Sequence, residues 1–131
     1  MATSSLRWGR IVLGGLLAET ILILVVIPMR LLGSGDSAIT AVAVVGSYVM
    51  FVPVAMLLTR SVARPLLNGV SMAAAAVAIY LVLQTLQQNF DPNAPAVPLV
   101  YYVAHVLKLA GGATGGWLAQ RSQLAAAPAR V

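Results

Sequence analysis

Cysteine is absent from this chain. Disulfides, thiol catalysis and thiolate metal sites are therefore excluded. Charge is nearly as scarce: three Asp and Glu residues stand against eight Lys and Arg, and one His is present. Charged residues make up 8% of the 131, where soluble domains carry about 25%. No basic patch forms, because the arginines are scattered between hydrophobic runs, so the net charge of +5 does not point to nucleic acid. H-E-x-x-H, G-x-S-x-G and paired-carboxylate patterns are all missing, so no enzyme is expected. A single His is a poor metal site and supplies at most half of a bis-His haem, so neither metal nor cofactor is expected.

What the chain has is hydrophobicity, at 60% of residues. A soluble core of this size cannot hide that much apolar surface, so the expected partner is a lipid bilayer. Crossing a ~30 Å hydrocarbon core takes about 20 mostly apolar helical residues. Four stretches meet that length, over about 11–32, 37–59, 65–87 and 98–120. Their apolar runs are continuous and do not alternate with period two, which excludes barrel strands. "GSGDS" at 33–37 offers Gly for a turn and Asp36 and Ser37 as N-cap candidates. Pro65 and Pro98 stand where helices begin and a missing N–H costs nothing. Pro53 is expected to kink the second span. The reading is an all-α integral membrane protein with four transmembrane helices in an up-down-up-down bundle. It forms one domain, 1–121, with a flexible tail over 122–131.

Arginines set the expected orientation. Arg7, Arg10, Arg60, Arg64, Arg121 and Arg130 fall on one side, and only Arg30 on the other, with Asp36 and Asp91. Lys and Arg excess marks the cytoplasmic side, so both termini are expected in the cytoplasm, with the chain in the cell (inner or plasma) membrane. Trp8 and Trp117 then fall at the inner interface.

Glu19, His105 and Lys108 are the ionisable groups inside the spans, and a charge at mid-membrane costs about 2.5–3.5 kcal/mol. By helical rise, Glu19 lies ~12 Å and Lys108 ~18 Å from the inner surface. First and last helices are neighbours in a simple up-down bundle, so a Glu19–Lys108 pair is geometrically possible, directly or through water, Thr20 or His105. The lean of each side chain toward its own N-terminus works against it. Tyr101, His105, Lys108, Gly112, Gly115 and Ala119 recur at three and four, forming one stripe on the fourth helix. Gly111, Gly112, Gly115 and Gly116 make two overlapping G-x-x-x-G patterns, which let helix backbones approach closely. Gly14 and Gly15 are the expected matching surface on the first helix.

Three functional readings follow. The leading expectation is a structural or accessory membrane subunit, as a homo-oligomer or part of a larger complex, held by a buried Glu-His-Lys cluster. The alternative is a small proton-coupled transporter or channel using Glu19, because an intramembrane carboxylate is a functional candidate. An enzyme or cofactor anchor comes third. In outline, four short helices with a lone Glu19 in the first, the chain resembles small multidrug resistance transporters. It departs from them in the third helix and in Lys108, which would neutralise the carboxylate such proteins use. The length and span count match fluoride-channel proteins, but their Asn and Phe signature is missing.

Overall fold

In a computed structural model, residues 6–93 and 96–126 are described. They form four helices: α1 (Trp8–Leu31), α2 (Asp36–Thr59), α3 (Pro65–Phe90) and α4 (Val100–Ala126). α1 has 24 residues, which at 1.5 Å each gives ~36 Å, more than a bilayer core. α1, α2 and α3 are long and apolar enough to cross a membrane. The sequence expects four such helices. α4 has the length, but its His, Lys and four glycines hold it below the hydropathy of the other three.

The connections follow from local chemistry. α1 ends in a Schellman motif, with Gly33 N–H on Arg30 C=O and Ser34 N–H on Met29 C=O, at 3.1 and 3.0 Å. Gly33 has φ +76°, a left-handed conformation that a Cβ would strain. The N-cap of α2 is Gly35, not Asp36 or Ser37; Asp36 lies in the first turn, where its charge favours the helix dipole. Pro65 opens α3 as expected, while Pro98 lies two residues ahead of α4 and accepts the Tyr101 N–H. Both Pro28 and Pro53 are carried inside unbroken helices.

α4 also runs past its expected end, so residues 122–126 are helical and not a free tail. Gln123 explains the extension. Its Nε2 donates to the carbonyls of Arg60 and Val62 at 2.7 and 3.0 Å, tying the last turns of α4 to the α2–α3 loop. Residues 127–131, including Arg130, lie outside the described residues.

Neighbouring contacts fix the helix directions. Gly111 meets Tyr48 and Phe51, and Gly115 meets Val52 and Ala55, so α4 runs parallel to α2. Gly112 meets Gly69 and Gly116 meets Pro65, so α4 runs antiparallel to α3. Around the bundle the order is α1, α2, α4, α3. Among the described residues α1 and α4 make no close backbone approach, so the expected adjacency of first and last helices is overturned. α2 and α3 touch across the short diagonal and hold the other two apart.

The bundle is apolar outside and small or polar inside. Leu24, Leu57, Leu83 and Val106 are all exposed, while Ala18, Ala55, Ala73, Ala76 and Ala119 are fully buried. Ser47, Thr59, Asn68, His105 and Lys108 are buried with them. A chain folding in water would reverse this arrangement.

Candidate functional site

Glycine positions α4. At Gly111 an added Cβ would lie 2.7 Å from the Tyr48 carbonyl oxygen, and at Gly116 2.6 Å from that of Pro65. At Gly112 and Gly115 it would collide with the carbonyls of Gly69 and Val52. Residues 111 and 112 point about 100° apart on a helix. The pair Gly111 and Gly115 therefore seats α2, and the pair Gly112 and Gly116 seats α3. The expected match of this face with Gly14 and Gly15 does not occur. Those two glycines admit α3 instead, where Gly14 faces Met72 and Gly15 faces Ala76, with Leu58 of α2 beside Gly14.

The polar part of the stripe begins directly beyond these glycines. His105 and Lys108 are one turn apart on α4, and Lys108 reaches across the bundle to donate to Glu19 Oε1 on α1. The pair forms without backbone contact between its helices, because the long Lys stem crosses the diagonal. Neither a bridging water nor Thr20 is needed: Thr20 donates to the Leu16 carbonyl at 2.8 Å. The Lys108 side chain is 4% exposed and that of Glu19 19%. In so little water each charge depends on the other, since an unpaired buried ion is expensive.

Aromatic groups surround the pair. Lys108 Nζ lies 5.4 Å from the Tyr80 ring centroid, on α3, in a cation–π contact. Tyr80 packs edge-to-face on His105 at 4.6 Å and 62°, and Tyr102 meets the same imidazole at 6.2 Å and 88°. His105 is buried, and its Nδ1 has no hydrogen-bond partner among the described residues. Buried nitrogens without partners are uncommon and call for an explanation.

A cavity of about 290 Å³ adjoins these groups. Glu19, Lys108, His105, Tyr101, Tyr80 and Ser47 are its polar walls, and Leu22, Ile23, Val26, Ile27, Ala43 and Ala104 its apolar ones. Glu19 lies at the middle of α1, and the other lining residues lie toward the half of the bundle away from the termini. Ser47 is already engaged, donating to the Ala43 carbonyl at 2.7 Å. Among the described residues no three metal-ligating side chains come together.

Glu19, His105, Lys108 and Tyr101 thus share one site. Tyr80 belongs there too and was not anticipated. Its signal was in the sequence: Gly69, Ala73, Ala76 and Tyr80 continue one face at spacings of three and four. Pro53 is exposed on the outer face of α2, away from the cavity. Comparison of the chain with protein-family models, curated proteins and solved structures finds no match.

Proposed function

We propose that this chain is a small multi-pass protein of the cell (inner or plasma) membrane that binds and moves a small polar solute at the Glu19–Lys108 cavity. All four helices cross the bilayer in this reading, α4 included. Support comes from the faces of α4: Val103, Val106 and Leu109 point outward, while His105 and Lys108 point inward. Both termini are cytoplasmic, on the arginine asymmetry. The cavity then lies in the half that faces away from the cytoplasm.

One observation carries the reading. A pair serving only to hold helices together is best placed in a dry seam, and this one borders open space. A largely apolar pocket with a few convergent polar groups is the usual form of a small-molecule site. Glu19 is its more accessible charge and the natural group to exchange a proton or a ligand.

The absence of cysteine allows a direct test. The variant Tyr101→Cys, in vesicles, should react with a membrane-impermeant thiol reagent from the extracytoplasmic side, and Ala73→Cys in the packed half should not. Equal inertness of both would end the cavity reading. In proteoliposomes the wild-type chain should exploit a pH or solute gradient, and Glu19→Gln should abolish that flux.

A second reading keeps the chain as a structural or accessory subunit, alone, as a homo-oligomer or in a larger complex. It rests on the ion pair being complete within one chain. Unchanged leak in Glu19→Gln, together with a native mass above that of one chain, would favour it.

A further inference from the structure

We propose that the solute held at this cavity is a small zwitterion of the α-amino-acid class, with an apolar side chain. The inference rests on the cavity reading above and names its ligand. It starts from unused hydrogen-bonding capacity. An ammonium has three donors, and Lys108 spends one on Glu19 Oε1. Among the described residues no other acceptor is bonded to it, and the remaining flank meets the Tyr80 ring. A carboxylate accepts at both oxygens, and Glu19 spends one of them on Lys108. His105 lines the cavity as well, but its unpartnered Nδ1 is fully covered and offers that space no hydrogen bond. Donor capacity on one wall and acceptor capacity on another therefore face the same space.

Charge decides what can use both. The site holds one cation and one anion, already paired. A ligand with a single net charge would leave that charge unmatched in a poorly hydrated space, at a large free-energy cost. A zwitterion avoids this. Its ammonium donates to Glu19, its carboxylate accepts from Lys108, and the four charges alternate around a ring without breaking the existing pair. Leu22, Ile23, Val26 and Ile27 of α1 offer an apolar wall for the side chain. The space, about 290 Å³, equals roughly ten water volumes, the size class of one amino acid.

The test uses the full chain in lipid nanodiscs and equilibrium dialysis with labelled L-leucine, L-alanine and L-phenylalanine. At least one should bind saturably. Isocaproate, which is leucine without its ammonium, and isoamylamine, without its carboxylate, should each bind at least about tenfold more weakly, as loss of a hydrogen bond to a charged group implies. Ala43→Leu, which fills the cavity and leaves the ion pair in place, should lose the amino acid while keeping its melting temperature. Equal binding of either single-charge analogue overturns the zwitterion and leaves the site standing. So does failure of all three amino acids in a protein whose Tyr101→Cys variant reacts with the thiol reagent. An inert Tyr101→Cys overturns the cavity reading, and this inference falls with it.

Discussion

The two halves of the bundle use the same four helices to opposite effect. In the half near the termini, backbones meet at Gly14, Gly15, Gly69 and the four glycines of α4, around a cluster of Ala18, Phe51, Val54, Ala55, Met72, Ala73 and Ala76. Polar groups there are consumed internally. Asn68 accepts the Arg7 N–H and donates to the Arg64 carbonyl, both at 2.9 Å, and Thr59 donates to the Ala55 carbonyl at 2.7 Å. In the other half α1 has no buried residue after Leu22, and α3 none after Ala76. Bulky and polar residues replace the small ones there: Glu19, Tyr80, Tyr101, His105 and Lys108 line an open space. Residue size at the helix crossings decides which half closes. Without a hydrophobic drive between helices in lipid, close packing needs small faces, and the chain concentrates them in the half near the termini, with fewer, such as Ala43, Gly46 and Ala104, in the other.

The strongest way to break this contrast is to enlarge a glycine of the closed half. Gly112→Leu drives a side chain into the Gly69 backbone, which cannot give way. The expected loss is about 4 kcal/mol or more, enough to prevent folding, read by reversible unfolding in detergent. An unchanged unfolding midpoint would remove the role of the glycines.

Next comes the ion pair. Lys108→Met should cost about 3 kcal/mol by leaving Glu19 without its counter-charge, at the low end for a buried pair because Glu19 keeps some exposure. Adding Glu19→Gln should restore about 1 kcal/mol or more of that loss. Strict additivity of the two would mean that the pair contributes nothing as a pair.

The same substitution in each half sharpens the comparison further. Ala73→Leu, in the packed half, should lose about 1–3 kcal/mol to overpacking. Ala43→Leu, beside the cavity, should change stability by less than about 1 kcal/mol, because space already exists for the added atoms. Equal costs at both sites would mean that the cavity does not persist. The smallest effect belongs outside both halves. Arg30 and Asp36 pair at 3.6 Å with side chains 71% and 94% exposed, so Arg30→Gln should shift stability by about 0.5 kcal/mol or less.

Much of the architecture was legible from residue type and spacing alone. Helix positions follow from long apolar runs closed by Gly, Pro and Arg, and they agree with the structure to within a few residues. The exceptions have local causes. α4 outlasts its expected end because Gln123 finds two loop carbonyls, a contact between residues more than sixty apart in sequence. α4 also falls short of its neighbours in hydropathy, because the residues that build the site are the ones that lower it. The grouping of Tyr101, His105 and Lys108 on one face was equally readable, since it depends only on helical periodicity.

Which helix that face would meet was a different matter. By itself the sequence determined an all-helical chain of long apolar runs, expected to span four times where three helices prove apolar enough, with a glycine face on the fourth and one acid and one base near mid-helix. Only the tertiary structure decided that α1 and α4 sit at opposite corners, that the two glycine pairs serve α2 and α3, and that Lys108 bridges to Glu19 across a cavity completed by Tyr80. The physical reason is that periodicity records which residues share a face. Which faces meet depends on how four surfaces fit together at once, and that is a property of no single segment.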